Sequence, residues 1–371
     1  MILQTNPKAG YLAHKAEIDA AIHQVLDSGR YILGSQVADF EDEFAQWMGA
    51  AHAIGVANGT DALELSLRAL DITPGQIVFT VAHTAVATVA AIERCNAIPV
   101  LVDVDPATYT MDPGHLADAI RSCQDARPAC IIPVHLYGQP ADMPEIMTIA
   151  MRYGLKVVED CAQAHGAQLH GRTVGTWGDL GAFSFYPTKN LAALGDGGAV
   201  LTDDPQLAGK VRALREYGWN ERRESTMPGI NSRLDEVQGA LLRVKLRYLE
   251  EDNARRREIA NLYNTRLAET TLKLPDVRTA AVHVFHQFVI RSQYRDELQA
   301  YLKENGVNTL VHYPVPIHLQ PTYKRRIRLG CSGLVNTEKL CGEILSLPMY
   351  PQLRDEEATI VSELIAGWHA R

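Results

Sequence analysis

The chain has 371 residues, of which 46% are hydrophobic, so it can form a large lobe with a buried core and a smaller second lobe. Its 44 acidic and 36 basic residues leave a formal net charge of −8, which argues against nucleic-acid binding as its main task. The six cysteines show no CxxC and no metal-ligand spacing, so we expect buried, reduced thiols and no metal.

No apolar run in the sequence has the length of a membrane span, and residues 1–15 lack the apolar core of a signal peptide. We therefore expect a soluble, cytoplasmic protein with no membrane partner. Helical spacing of apolar residues then predicts two N-terminal helices, over residues 15–28 and 37–48, each ended by a glycine.

From residue 51 onward, short apolar strands alternate with helices. This alternation predicts an α/β protein with a mostly parallel sheet and helices on both faces. Right-handed crossovers would place the carboxyl ends of these strands, including Asn58 and Asp160, at one edge. The predicted strands cover residues 51–57, 76–81, 97–102, 129–134, 155–158 and 198–202, and the predicted helices between them cover 61–70, 84–94, 113–122, 143–153 and 205–215.

Two strand ends carry polar residues suited to a ligand. Asn58, Gly59 and Thr60 form a turn between a strand and a helix, and free amides at a helix start favour phosphate, although most such turns bind nothing. Asp160 ends another strand, where a carboxylate can keep a pyridinium nitrogen protonated. Gln163 is placed to donate to the phenolic oxygen of such a ring. A helix N-cap is the alternative role for Asp160.

Lys189 lies between a proline-containing aromatic stretch and a glycine-rich one, residues 184–198. Pro187 restricts Tyr186 to extended backbone, and the glycines allow close approach to a ligand. Such a loop suits an amine that forms a Schiff base with a cofactor aldehyde. A surface lysine before a turn is the alternative that this stretch alone leaves open.

Residues 231–264 are predicted to form one long helix, whose arginines 255–257 we interpret as a solvated face. We place the lobe boundary within it, giving a large domain over residues 1–250, with an N-terminal arm, and a small α+β domain over residues 251–371. A helix over residues 355–369 closes the chain.

Four motifs in order resemble the PLP-dependent nucleotide-sugar aminotransferases of the DegT–StrS group. They are residues 159–166 (EDCAQAHG), 183–191 (FSFYPTKNL), 195–199 (GDGGA) and 231–238 (NSRLDEVQ), and the resemblance extends from about Gly10 to residues 345–348. It implies PLP-dependent fold type I, similar to aspartate aminotransferase, with pyridoxal 5'-phosphate as the cofactor.

The resemblance also implies residue roles. Lys189 and Asp160 would be catalytic, and a partner subunit's Asn231 would reach the cofactor phosphate, so that a homodimer shares its active sites. His83 would cover the cofactor ring, because the aromatic usual at Ala85 is absent; a histidine satisfied in a turn is the alternative. The expected cofactor-binding residues are Gly59, Thr60, His83, Asp160, Gln163, Ser184, Lys189 and Asn231, and the expected substrate-binding residues are Tyr217, Arg233, His312, Tyr313 and His318.

By the same resemblance, the expected reaction moves an amino group from glutamate to a nucleotide-linked keto-sugar, a dTDP- or UDP-3-keto-hexose, since the motif around Lys189 resembles that of family members acting on 3-keto sugars. Amination of a 4-keto sugar or of a cyclitol ketone is the enzymatic alternative. A regulatory protein with the same fold is the non-enzymatic one, although the presence of Lys189 and Asp160 argues against it. A dinucleotide-dependent dehydrogenase is excluded, since no G-x-G-x-x-G follows the first strand.

Overall fold

The computed structural model describes residues 1–123 and 127–369. The helices of this part are α1 (Pro7–Ala13), α2 (Lys15–Ser28), α3 (Ser35–Met48), α4 (Gly59–Ala69), α5 (Val86–Arg94), α6 (Pro113–Ser122), α7 (Met143–Tyr153), α8 (Pro205–Leu214), α9 (Glu236–Leu246), α10 (Leu249–Leu267), α11 (Arg295–Glu304), α12 (Val335–Glu343) and α13 (Asp355–His369). Within the described residues, no helix combines the length and the apolar composition needed to cross a membrane.

The strands of the same part form three sheets. They are β1 (His52–Val56), β2 (Gln76–Val81), β3 (Ile98–Val102), β4 (Arg127–Ile131), β5 (Lys156–Asp160), β6 (Gln168–Leu169), β7 (Arg172–Thr173), β8 (Leu180–Ser184), β9 (Gly198–Thr202), β10 (Ala281–Val282), β11 (Phe288–Arg291), β12 (Arg328–Leu329) and β13 (Ile344–Leu347). Two short 3-10 turns, Leu136–Gly138 and Ile317–Leu319, lie outside these elements.

The large sheet has the order β1-β9-β8-β5-β4-β2-β3-β12. In the described chain, β9 pairs antiparallel with both its neighbours, and the other pairs of this sheet are parallel. The prediction of an α/β fold with a mostly parallel sheet is confirmed. Several predicted elements, including β2, β9, α2 and α13, have the predicted bounds, because strong apolar periodicity and glycine or proline signals mark their ends.

Apolar side chains cover both faces of the large sheet. One face packs against α4, α5 and α8, and the other against the N-terminal helices and α9 near one edge and α6 and α7 near the other. A separate core around Tyr263 and Phe288 joins α10, α11, α13, β11 and β13. The N-terminal end contacts this second core, since Ile2 bridges to Val307. The domain boundary at residue 250 stays a prediction.

The prediction of one helix over residues 231–264 is wrong. Residues 231–235 are extended: Asn231 bridges to Glu216 and Asp235 bridges to Ile32. Helix α9 begins only at Glu236, and Arg247 and Tyr248 separate it from α10. The long-range backbone pairing of residues 231–235 overrides a helical pattern that is visible in the sequence alone.

The interpretation of arginines 255–257 as a solvated face is wrong for Arg256. This guanidinium is buried and donates to the carbonyl oxygens of Phe285 and Met349, both at 3.2 Å. Arg255 and Arg257 pair with exposed carboxylates, as a solvated face requires. Helical rotation turns the middle residue of the three toward the core.

Candidate active site

A cavity of about 290 Å³ opens where β1, β5 and β8 end. It brings together residues that are up to 138 positions apart in the sequence. Six of the predicted site residues line it: Gly59, Thr60, Asp160, Gln163, Ser184 and Lys189. Its other lining residues are Asn58, Leu63, Thr84, Ala85, Ala87, Val134, Ala162, Tyr186 and Asp196.

The start of α4 forms one end of the cavity. Asn58 caps the helix by accepting a hydrogen bond from the Asp61 amide at 2.8 Å, so the amides of Gly59 and Thr60 are left without partners inside the helix. A Cβ at Gly59 would lie 2.6 Å from the Cβ of Ser184, which is closer than two carbon atoms approach. Only glycine therefore fits here, and the open helix start suits a phosphate group.

Lys189 lies on a loop that many contacts hold in place. Its amide donates to the Tyr186 carbonyl at 2.8 Å, and the Ala193 amide donates to the Phe185 carbonyl at 2.7 Å. The neighbouring Asn190 side chain donates to Asn253 at 2.8 Å and to the Val284 carbonyl at 3.0 Å. The amine is thus carried on an irregular but fixed backbone, as the proline and glycine pattern predicted.

Burial lowers the pKa of the Lys189 amine to about 8, and the negative charge of Asp160 opposes this shift. The neutral amine is the form that attacks an aldehyde or accepts a proton. A lysine with an ordinary pKa near 10.5 would be almost entirely protonated at neutral pH. The site therefore makes the reactive form of Lys189 available under mild conditions.

We expect the cofactor-free protein to capture pyridoxal phosphate faster as pH rises, with the midpoint near pH 8. The sign follows from the lowered pKa, since the neutral fraction of Lys189 grows as pH passes through that value. The measurement is the rate constant of colour formation across a pH series. Asp160→Asn should move the midpoint lower, because the Asp160 charge raises the pKa. A midpoint near 10 in the wild type would contradict the expectation.

Asp160 is buried at the end of β5, 5% exposed. Its carboxylate accepts hydrogen bonds from the Thr88 hydroxyl at 2.9 Å and from the Ala162 amide at 3.2 Å. Burial raises the pKa of this carboxyl, while those two donors and the positive charge of Lys189 act in the opposite direction. A buried carboxylate of this kind is stabilised by a cation placed beside it, which a protonated pyridine ring would supply.

The neighbouring Glu159 does not line the cavity, and its carboxylate instead binds backbone amides and His135. Its carboxylate accepts from the amides of Gly175, Trp177 and Gly178 at 2.7–2.8 Å, and lies 3.0 Å from Nε2 of His135. Nδ1 of His135 accepts from the Ala141 amide at 3.0 Å. These contacts occupy both carboxylate oxygens and both ring nitrogens, so the two consecutive acids have different tasks.

The C-terminal part of the chain lies beside the cavity at His312 and Tyr313, where Tyr313 contacts the lining residue Gln163 and the charge of Lys189 acts on His312. Gln163 Nε2 donates to the Tyr313 hydroxyl at 3.1 Å, and His312 Nδ1 lies 2.8 Å from the Ser346 hydroxyl. Burial and the charge of Lys189 lower the pKa of His312 to about 4, so its ring is neutral. The Gln163 amide, expected to meet a phenolic oxygen of the cofactor, here meets a phenolic oxygen of the protein.

The structure does not bring the remaining predicted residues to this cavity. His83 is buried behind its wall, where Nε2 lies 2.8 Å from the Tyr137 hydroxyl, while its neighbours Thr84 and Ala85 line the cavity. His318 lies in the Ile317–Leu319 turn and pairs with Glu338 at 2.9 Å. The His83 ring contacts Tyr137 and Cys341 and does not line the cavity, so we do not propose that it stacks on the cofactor.

Three further predicted residues, Asn231, Tyr217 and Arg233, lie on the surface of this single chain. Asn231 is exposed, Tyr217 is 40% exposed and Arg233 is partly exposed. The ring of Tyr217 contacts that of Trp219, with centroids 5.0 Å apart. Their roles toward a partner subunit or a substrate stay predictions.

Thr88, which donates to Asp160, was not among the predicted site residues. Thr84 lies just before α5 and Thr88 lies in its first turn, four residues later, and their hydroxyls are 3.1 Å apart. This spacing was the available signal. What it faces depends on the packing of α5 against β5, which no local pattern shows.

Comparison with known proteins gives a match to the model of the DegT/DnrJ/EryC1/StrS aminotransferase family over residues 13–366. The chain belongs to this family. It is 46% identical to the erythromycin biosynthesis sensory transduction protein EryC1 of Saccharopolyspora erythraea, covering 97% of this chain and 98% of that protein. It is also 46% identical to the dTDP-3-amino-3,6-dideoxy-alpha-D-galactopyranose transaminase of Aneurinibacillus thermoaerophilus, covering 95% and 96%.

Among solved structures, the crystal structure of S. venezuelae DesV in complex with a ketimine intermediate superposes with a TM-score of 0.95. The two chains are 43% identical over 100% of this chain and 98% of that one. The predicted family, the fold type I assignment, aminotransferase activity and the pyridoxal phosphate cofactor are confirmed.

The cavity fits this cofactor at three points. The start of α4 at Gly59 suits the phosphate, Asp160 suits the ring nitrogen, and Lys189 suits the aldehyde. When bound, pyridoxal phosphate supplies an electron sink for the bonds at the amino-bearing carbon. The residues of this chain would hold the group, with Asp160 near the ring nitrogen and Lys189 near the aldehyde.

Proposed function

We propose that this enzyme transfers the amino group of glutamate to the 3-keto group of a dTDP- or UDP-linked hexose. The observation that carries this proposal is that Lys189, Asp160 and the open start of α4 line one cavity. The name of the dTDP-3-amino-3,6-dideoxy-alpha-D-galactopyranose transaminase supports a sugar acceptor, since that protein matches almost the whole chain.

Lys189 would act as the proton carrier in both halves of the reaction. Its pKa of about 8 lets it accept a proton from the donor's α-carbon and return it to the cofactor carbon in one half, then do the reverse for the sugar. His312 and Tyr313 would meet the sugar from the C-terminal side. Tyr217, Arg233 and His318 remain candidates for contact with the nucleotide.

The test is a panel of keto-sugars offered with glutamate and scored by mass spectrometry. The panel includes 3-keto and 4-keto hexoses, each linked to dTDP and to UDP, together with a cyclitol ketone. Amination of a 3-keto hexose alone is the expected result. Preference for a 4-keto sugar or for the cyclitol ketone would show that the acceptor is not a 3-keto hexose. The absence of all amination despite bound cofactor would favour a regulatory role.

We also propose a cytoplasmic homodimer whose active sites contain residues of both subunits. Asn231 is exposed and lies on an extended segment tied by backbone pairing at residues 216 and 32, so it is presented outward on a fixed support. The adjacent Ser232 donates to Asp61 at 2.8 Å and accepts from the Ala57 amide at 3.1 Å, which fastens this segment to α4.

Mixed dimers test the shared site. A heterodimer of a wild-type subunit with a subunit carrying both Asn231→Ala and Lys189→Ala is expected to lose affinity for the phosphate at its single intact Lys189, by about five- to tenfold for one hydrogen bond, because the Asn231 of that site comes from the doubly substituted subunit. The measurement is cofactor release at that lysine. Asn220→Ala, another exposed asparagine, is the matched control. Full activity from a monomer would contradict the shared site.

A further inference from the structure

Tyr137 lies in the Leu136–Gly138 turn and has no role in the chemistry described above. It is 2% exposed, and its φ of +60° is in the left-handed region that residues with a side chain rarely adopt. A residue keeps such a conformation only where surrounding contacts enforce it. The question is what those contacts hold in place.

Each polar group of Tyr137 has a partner. Its amide donates to Gln163 Oε1 at 2.8 Å, and its carbonyl accepts from the Gln287 amide at 3.2 Å. Its hydroxyl donates to the His312 carbonyl and lies 2.8 Å from His83 Nε2. Gln163 and His83 belong to connections of the large sheet, whereas Gln287 and His312 belong to the C-terminal part of the chain.

The direction of the hydrogen bonds follows from the partners. A carbonyl only accepts, so the Tyr137 hydrogen is used on His312, and the hydroxyl oxygen accepts from His83 Nε2–H. His83 Nδ1, 3.4 Å from Cys341 Sγ, then accepts from the thiol. Burial lowers the pKa of His83 to about 4, so the ring carries the single hydrogen that this chain of bonds requires.

Tyr137 also orients the amide of Gln163. Because Oε1 accepts the Tyr137 amide hydrogen, Nε2 is turned to the Tyr313 hydroxyl at 3.1 Å. The hydroxyl and the amide of Tyr137 therefore hold consecutive residues, His312 directly and Tyr313 through Gln163. A third contact, from Ser346 to the His312 ring, does not involve Tyr137.

We propose that Tyr137, aligned by His83, is a positioning residue that fixes His312 and Tyr313 at the cavity for the acceptor substrate. This rests on the proposed function, in which those two residues meet the keto-sugar. It assigns His83 a task different from ring stacking. Lys189 and Asp160 are held by other contacts, so the donor half of the reaction does not depend on the Tyr137 hydroxyl.

Tyr137→Phe in the holoenzyme is the test, because it removes only the hydroxyl. Tyr109→Phe is the matched control: its ring packs edge-on against Tyr137 at 5.6 Å, and its hydroxyl bonds to Arg291 instead. Hydrogen exchange read by mass spectrometry should be faster in the peptide covering residues 309–315 for Tyr137→Phe only. Unchanged protection of that peptide would overturn the proposal whatever the substrate.

Half-reaction kinetics supply the second measurement. Tyr137→Phe should raise KM for the keto-sugar about five- to tenfold, as expected for one lost hydrogen bond, and leave the glutamate half-reaction within about twofold. His83→Phe should act in the same direction, and the double variant should be no worse than either single one, because the two residues act in one chain. Additive effects would contradict that chain.

The two measurements separate the proposals. If the wild type aminates no panel sugar, the proposed function fails, and hydrogen exchange alone decides the role of Tyr137. If the wild type aminates a panel sugar while Tyr137→Phe matches Tyr109→Phe in KM and in exchange, the positioning role fails and the proposed function stands.

Discussion

Lys189→Ala is expected to abolish the visible absorbance of the lysine-bound cofactor and to lower the transamination rate by about 10³-fold or more. The substitution removes both the amine that attaches the cofactor and the base that moves the proton, and a positioned general base alone contributes about 10²–10⁴-fold. The phosphate end at Gly59 does not involve Lys189, so cofactor should still bind without covalent attachment.

Absorbance spectra and single-turnover rates with glutamate provide the measurement. Lys245→Ala is a suitable control, because burial also lowers the pKa of Lys245 to about 8, but its amine donates to the Ala192 carbonyl at 2.7 Å. That control should keep the covalent cofactor. A Lys189→Ala protein that retained both the absorbance and the turnover would refute the assignment of Lys189.

Asp160→Asn is expected to bind the cofactor and to slow both half-reactions by about 10³-fold. Two unit charges about 4 Å apart interact by about 4 kcal/mol at an effective dielectric constant of about 20, which corresponds to about three powers of ten in rate. The amide has nearly the same shape as the carboxylate but cannot keep a ring nitrogen protonated.

Asp196→Asn gives the matched control, since Asp196 is exposed and lines the same cavity, and the change of charge is identical. Stopped-flow traces of the glutamate half-reaction should separate the two variants, with the control close to the wild type. Equal rates for the wild type and Asp160→Asn would remove the pyridinium role. A protein unable to bind the cofactor at all would point to a structural role for Asp160.

Much of the site was accessible from the sequence because its residues occupy strand ends and special turns. Asp160 follows an apolar strand, Gly59 opens a helix, and Lys189 lies between a proline and a glycine cluster. Parallel strands with right-handed crossovers bring such ends to one edge, so local patterns and one topological rule suffice. The order of the strands and the antiparallel direction of β9 required the structure.

Other assignments failed where the sequence gives only residue type. His83 looked suited to cover a ring, yet its nitrogens meet Tyr137 and Cys341, the latter 258 residues away. Arg256 looked like a solvated charge, yet it is buried against two carbonyls. Which neighbour a polar side chain meets depends on how separate elements pack, and no local spacing encodes that.

The sequence by itself determined strands β1 to β5 and β9 of the large sheet and the three groups that suit a phosphate, a ring nitrogen and an aldehyde, because periodicity and turn chemistry act over a few residues. Only the tertiary structure decided that residues 231–235 are extended, that Thr88 supports Asp160, and that Tyr137 joins the His312 segment to the large sheet. These outcomes depend on contacts between residues far apart in the chain, whose geometry exists only once the elements have packed.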